Sequence, residues 1–320
     1  MVGYWQRDAG YIDNVAGFLT FCGTTVYDFE GNVVGCLKDG ITVNNAAQVK
    51  SNVNYTDSYG ARAALKVDLD DNWTVTPAVM DQNTKSHGSY GYDPSVGELM
   101  YKHYYPDFRN DKFVQAALTI EGKIGNWDVT YAGAYLDRKT YAENDYTDYA
   151  EAYDSYYENK GGLAYWFYYQ DSAGATIDPR QRVIGTNHFK KLSQELRIAS
   201  PQDEPLRFVG GVFFQRQSNA IHQDYKIDGL GPQVSVNGFP GTLWLTQQER
   251  IDKDYAAFGE LSFDLTPELT LTAGGRLFKY DNSLIGFFGF GRNPGNDFSD
   301  GPFNGAGSTA TGVGSCFTTN

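Results

Sequence analysis

Between Tyr255 and Leu265 the chain keeps a strict two-residue rhythm. Tyr255, Ala257, Gly259, Leu261, Phe263 and Leu265 share one parity, and Ala256, Phe258, Glu260, Ser262 and Asp264 share the other. Alternate residues of a strand lie on opposite faces, so this run predicts a strand with one apolar and one polar face. Such runs come in pairs joined by short polar turns. "YGARAALKVDL" and "WTVTPAVMDQ" flank Asp68 to Asn72, and "FVQAALTIEGK" and "WDVTYAGAYLDR" flank Ile124 to Asn126. Ser193 to Gln217 turns at Ser200 to Pro205, and "YAAFGELSFDL" and "LTLTAGGRLFKYD" flank Thr266 to Glu268. Pro, Asp, Asn and Gly supply the turn chemistry each time. With one further strand from Gly3, the pattern predicts about nine strands.

The connections between pairs are long: roughly Ala16 to Asn54, Ser86 to Asn110, Tyr141 to His188, Lys226 to Glu249, and Ser283 onward. Compact soluble domains rarely carry such loops. Short turns at one end and long loops at the other are the habit of outer-membrane barrels. The faces agree. In "WDVTYAGAYLDR", Trp127, Val129, Tyr131, Gly133 and Tyr135 oppose Asp128, Thr130, Ala132, Ala134, Leu136 and Arg138. Leu196 and Ile198 likewise oppose Glu195 and Arg197. After the turn, Val212, Phe213 and Phe214 run consecutively and leave the faces of that strand open. Trp73 and Trp127 each begin a rising strand, where an aromatic suits the headgroup level. The polar face carries charges of both signs, as a paired lumenal wall requires; Glu195, Arg197, Glu260 and Arg276 are expected on it.

Composition narrows the partners. The 320 residues carry a formal net charge of −13, which argues against a phosphate backbone as ligand. Tyr (24), Phe (20) and Gly (36) are abundant, as strands and tight turns demand. No apolar run reaches 18 residues, so no transmembrane helix is expected. A mean hydropathy of −0.47 does not exclude barrel strands, whose two faces average out. The opening "MVGYWQRDAGYIDNV" lacks the basic and then apolar segments of a signal peptide and reads as a strand entered partway along. An odd strand count does not close an ordinary bacterial barrel, so further strands are expected on both sides.

Several segments, in order, carry a family likeness: "GYIDNV" (Gly10 to Val15), "DSYGARAALKVDLDDNWTVTP" (Asp57 to Pro77), "KLSQELRIASP" (Lys191 to Pro201), "RFVGGVFFQRQ" (Arg207 to Gln217) and "DYAAFGELSFDLTPELTLTAGGRLFKYD" (Asp254 to Asp281). As a set they resemble barrel strands of TonB-dependent outer-membrane receptors. The resemblance implies an all-β fold, an antiparallel up-and-down transmembrane β-barrel segment of about nine strands taken from a 22-stranded barrel. Residues 1–320 then form one partial barrel domain without the plug or the TonB box. It also implies a Gram-negative outer-membrane location and active uptake of an iron–siderophore complex, haem, cobalamin or a saccharide. The energy would come from the TonB–ExbB–ExbD complex acting through parts not in this sequence. A passive porin-type barrel and a soluble β-rich carbohydrate-binding protein are the competing readings.

The candidate ligand contacts lie in the loops. Tyr141 to Asp171 is acidic and dense in Tyr, which offers rigid contact area with a hydroxyl. Trp166, Phe167, Tyr168 and Tyr169 are its candidate contacts, against the alternative of loop aromatics packing on one another. Asp145, Asp148 and Asp154 supply oxygen ligands but not the spacing of a calcium loop. His103, in "YKHYYPDF", is the one histidine placed to test as an iron ligand of a haem receptor, against the alternative of a plain surface histidine. Cys22 and Cys36 are close enough in sequence to form a loop disulfide, and two free thiols are equally open; Cys316 is left over. No nucleophile–base–orienter set, metal-ligand spacing or cofactor cradle is recognised, so no enzymatic activity, metal or cofactor is expected.

Overall fold

The computed structural model describes residues 1–21, 25–27, 29–31, 33–36, 41–156, 171–232, 235–236, 238–290 and 317–319. One antiparallel sheet dominates. It has eleven strands, two of them short (Val67–Asp68 and Phe317–Thr319), which leaves nine that form a wall. These are β1 (Val2–Asp8), β2 (Thr56–Ala64), β3 (Trp73–His87), β4 (Phe108–Ile124), β5 (Trp127–Asp145), β6 (Gln181–Ala199), β7 (Leu206–Ile227), β8 (Thr242–Thr266) and β9 (Leu269–Phe290). Each pairs with its sequence neighbour, in the up-and-down order that the alternation predicts. The sheet is open: β1 has no strand on its outer side among the described residues, and β9 gains only Phe317–Thr319.

The short turns form as their sequences dictate. Between β4 and β5, Ile124 pairs with Trp127 across a two-residue turn whose Gly125 has φ +63°, a conformation Gly adopts at no steric cost. Before β3, the Asp70 carboxylate accepts from the backbone N–H of Asn72 (2.8 Å) and Trp73 (2.9 Å). Before β7, Ser200 Oγ accepts from Phe208 N–H at 2.8 Å. Trp73 lies flat over its cross-strand partner Gly122, where an added Cβ would meet the indole at 2.2 Å. A side chain at 122 would therefore push the Trp off the strand.

The register resolves the faces. Val75, Ile120, Tyr131, Leu196, Val212, Ala257 and Leu277 occupy one row across seven strands. One residue along, Thr74, Glu121, Thr130, Arg197, Gly211, Phe258 and Arg276 occupy the next row, on the opposite face. Val212 and Phe214 thus join Leu196 on the apolar face, while Phe213 faces the other way beneath the Arg276 guanidinium, 5.4 Å from its ring centroid. The apolar face forms a belt running from the short turns to Val79 on β3, Val114 on β4, Tyr135 on β5, Leu192 on β6, Phe214 on β7 and Tyr255 on β8. Along β5 this covers 127–135, and along β4 and β8 it covers 114–124 and 255–265. These lengths match the 9–11 tilted residues that cross a bilayer core. Beyond the belt the same parity turns to Asp81, Lys112, Asp137, Lys190, Arg216 and Lys253.

Burial is inverted relative to a soluble sandwich. Leu277 is 82% exposed, Leu271 60% and Val212 55%, whereas nearly every buried apolar side chain lies beyond the belt. The main core cluster joins Phe21, Val43, Tyr104, Ala150, Ile227, Leu230 and Leu243, drawn from the long connections and the strand ends that reach them.

The expected boundaries of the long loops are corrected here. β5 continues to Asp145, β6 starts at Gln181, β7 runs to Ile227, β8 starts at Thr242 and β9 reaches Phe290. At about 3.3 Å per residue, the 25 residues of β8 extend for roughly 80 Å. Above the belt both faces meet polar surroundings, so the alternation fades while the backbone ladder continues. The Tyr141 to Asp171 segment also contains a helix, α1 (Thr147–Tyr156). The Asp145 carboxylate caps it, accepting from Thr147 N–H at 2.9 Å and Thr147 Oγ1 at 2.5 Å, and Ala150, in its first turn, is fully buried.

Candidate ligand-binding site

The long connections gather at one end of the wall into a cap. Phe18–Phe21 pairs with Ile41–Asn44, and Met100–Tyr101 lies parallel to Asp13–Asn14. Buried asparagines tie the cap where strands give out. Asn54 Oδ1 accepts from Tyr11 N–H (2.7 Å) and Ile12 N–H (2.8 Å), and Asn14 exchanges hydrogen bonds with the backbone of His103 at 2.9 Å in both directions. These bonds satisfy backbone groups that irregular chain would otherwise bury unpaired.

Within the cap, a cavity of about 440 Å³ is lined by Phe18, Tyr92, Asp93, Tyr101, His103 and Asp148, among others. His103 Nδ1 sits 2.5 Å from Asp107 Oδ2, and the imidazole lies against Tyr101 at a centroid distance of 4.0 Å. Its Nε2 makes no hydrogen bond among the described residues, so the ring presents one nitrogen while Asp107 holds the other. Burial pushes the Tyr101 hydroxyl up to about 12, so it stays protonated as a donor. Burial disfavours the imidazolium of His103. The hydrogen bond to Asp107 and the charges of Asp107, Asp145 and Asp148 outweigh it, and the pKa lies above its ordinary value. Burial also raises the Asp148 carboxyl.

Both groups bind their proton more tightly folded than unfolded. The stabilisation they give is therefore complete below their unfolded pKa values, about 6.5 for His and 3.9 for Asp, and is lost as pH rises through the folded ones. Amide exchange across 89–107, corrected for its intrinsic pH dependence, is expected to be faster at pH 8 than at pH 6. His103→Gln should flatten that difference.

A second cavity, of about 560 Å³, opens on the polar face near the cap and is lined by Gln82, Arg109, Asp111, Phe113, Gln115 and Arg138, among others. Arg138 grips Asp111 through both Nε (2.8 Å) and Nη2, and Arg109 lies 3.7 Å from the same carboxylate. One carboxylate against two guanidiniums leaves this cavity net positive. Farther along this face, Asp252 accepts from Tyr280 Oη (2.9 Å), Arg250 Nε (3.1 Å) and Asn282 Nδ2. At the short-turn end, Arg207 holds Asp264 with both Nη groups, at 2.5 and 2.7 Å.

Of the residues expected in the wall, Glu195, Arg197, Glu260 and Arg276 all lie on the polar face, on three strands and in three cross-strand rows, with Arg197 and Arg276 in the same row on separate strands, and none pairs with another. Arg276 pairs instead with Asp254 at 3.6 Å. Sequence reasoning missed the Asp252 hub and the Arg207–Asp264 clamp, whose partners are 57 residues apart. For the hub the signal available was the parity shared by Arg250, Asp252, Tyr280 and Asn282 within one hairpin; nothing local relates Arg207 to Asp264. His103 is no surface residue but a member of the cap cavity. Asp145 is committed to Thr147 and to Tyr104 N–H (2.5 Å), so its carboxylate serves the fold. Among the described residues no group of three or more His, Cys, Asp or Glu is placed to hold a metal. Trp166, Phe167, Tyr168, Tyr169, Cys22, Cys316 and the side chains of Cys36 and Asp154 lie outside the described residues.

An open, up-and-down antiparallel wall with an outward apolar belt defines a β-barrel type of fold. Among solved structures, the ferric yersiniabactin uptake receptor FyuA from Yersinia pestis is similar to it, with a TM-score of 0.51 at 12% identity. The similarity covers 90% of this chain and 45% of that one, so this chain spans about half the receptor's length. No protein-family model and no curated protein sequence matches the chain.

Proposed function

We propose that this chain is part of the barrel wall of a TonB-dependent outer-membrane receptor that takes up a scarce nutrient. An iron–siderophore complex is the first candidate cargo; haem, cobalamin and saccharides are the others. The observation that carries this reading is the belt of exposed apolar residues, about the thickness of a bilayer core, on an open wall whose long connections form an ordered cap. In lipid, every backbone group must be paired, so the free edges of β1 and β9 call for further strands to close the barrel, 22 in the family resembled. The likeness to FyuA supports the architecture, and that protein's name supports the class of cargo. The net-positive cavity around Arg109 and Arg138 suits an anionic chelate, and the cap cavity offers Tyr and His contacts above it.

In this reading the TonB–ExbB–ExbD complex drives uptake through a plug that the barrel encloses. The test is accumulation of a radiolabelled ferric chelate by cells carrying the full gene, with and without TonB. Uptake that needs TonB is the expected result. Uptake that continues without TonB and saturates only at high concentration would instead mark a passive pore.

A further inference from the structure

Strand register brings together two histidines that lie far apart in the sequence. His188 on β6 stands directly opposite Ala220 of β7, and His222 follows two residues along β7 on the same face. Diagonal neighbours of this kind are within reach of aromatic and long side chains. Both histidines line one shallow cavity of about 650 Å³ on the outer face, together with Lys139, Ala220, Gln247 and Glu249 among others. It lies on the cap side of Leu192, where the apolar belt ends on β6.

Each ring has one nitrogen held by a carboxylate. His188 Nε2 lies 3.1 and 3.0 Å from Oδ1 and Oδ2 of Asp137. His222 Nε2 lies 2.9 Å from Asp224 Oδ2, and Thr242 Oγ1 donates to the other oxygen of Asp224 at 3.0 Å, which fixes that carboxylate. The His222 ring also rests near Phe239, at a centroid distance of 5.8 Å. A neutral imidazole that donates Nε2–H to a carboxylate keeps a bare lone pair at Nδ1. Proteins use this pairing to set the tautomer and orientation of metal-ligating histidines. Neither Nδ1 has a hydrogen-bond partner among the described residues. Glu249, on the same cavity, forms no hydrogen bond or ion pair among them either.

We propose that His188 and His222 together bind a divalent transition-metal ion of the Ni²⁺, Cu²⁺ and Zn²⁺ group through their Nδ1 atoms, with water in the remaining positions. Imidazole suits these ions, whereas Mg²⁺ and Ca²⁺ take oxygen ligands. Asp137 and Asp224 hold the two ligands from behind and offset part of the ion's charge. The site rests on the pairing of β6 with β7, which keeps register from end to end, and not on the reading of the belt as lipid-facing. Ligation needs neutral imidazoles, so protons compete with the metal and affinity falls in acid.

The test adds Cu²⁺, up to one equivalent, to the full-length protein folded in detergent micelles, with Cys22, Cys36 and Cys316 replaced by serine. Pulsed electron paramagnetic resonance counts the imidazoles on the ion, and a titration gives the affinity. Two imidazoles are expected, falling to one in His188→Gln or in His222→Gln. Asp137→Asn, which removes no ligand, should keep both imidazoles and weaken binding about 10- to 100-fold. The gel mobility shift of the folded barrel first shows that each variant has folded. An unchanged spectrum and affinity in the double variant His188→Gln/His222→Gln would overturn the proposal, because the ion would then sit elsewhere. So would a single imidazole in the parent protein, or an Asp137→Asn affinity equal to the parent's.

Discussion

Leu196→Arg is expected to cost about 2–4 kcal/mol of folding free energy in a bilayer, the depth-dependent cost of a cation on the lipid face near the midplane. Leu196 sits in the middle of the belt, between Tyr131 and Val212 in its row. Ser193→Arg, three residues away and on the polar face opposite Ala134 and Gln215, should change stability by no more than about 0.5 kcal/mol. The contrast separates the architectures. In a soluble sheet with this register, Leu196 is exposed to water and an arginine there costs little. Urea unfolding of the two variants, each made in the full-length barrel and reconstituted in phosphatidylcholine vesicles, followed by the gel mobility shift of folded barrels, reads both values.

The second large effect is expected in the cap. Ile227 is fully buried at the end of β7 among Phe21, Val43, Tyr104 and Leu243. Ile227→Ala removes most of that side chain from a packed cluster, which costs about 2–5 kcal/mol. The loss should be local. Exchange is expected to rise across the connections that share the cluster, near 12–21, 41–54 and 100–107, while β4 to β8 within the belt remain protected. Uniform loss of protection would show instead that cap and wall unfold as one unit. If the cap forms the ligand site, binding should weaken in the same variant although Ile227 lines neither cavity.

The wall was legible in the sequence because one face of each strand meets a single kind of surroundings over about ten residues. That uniformity makes Tyr255 to Leu265 alternate and lets turns such as Ile124 to Asn126 be placed. Where Val212, Phe213 and Phe214 run together, the pattern failed, since an inward aromatic can pack under a cation as Phe213 does under Arg276. Above the belt the faces no longer differ, so strand ends such as Asp145 and Ile227 were hidden in segments that read as loop. The cap was hidden for another reason. Its cluster draws Phe21, Tyr104, Ala150 and Leu243 from four separate connections, and no local period relates residues so far apart. His103 stood out only as a residue type; its partner Asp107 is four residues on, but the cavity they share depends on Phe18 and Asp148.

The central claim is that one face of this wall lies against lipid. It is tested most directly by placing single cysteines from Leu206 to Arg216, in a background with Cys22, Cys36 and Cys316 replaced by serine, and spin-labelling each after reconstitution. Collision with oxygen, which concentrates in the hydrocarbon, should peak at 206, 208, 210, 212 and 214. Collision with a water-soluble nickel chelate should peak at the odd positions and at 216. Nickel access at 208, 210 and 212 equal to that at their odd-numbered neighbours would place both faces in water and contradict the account.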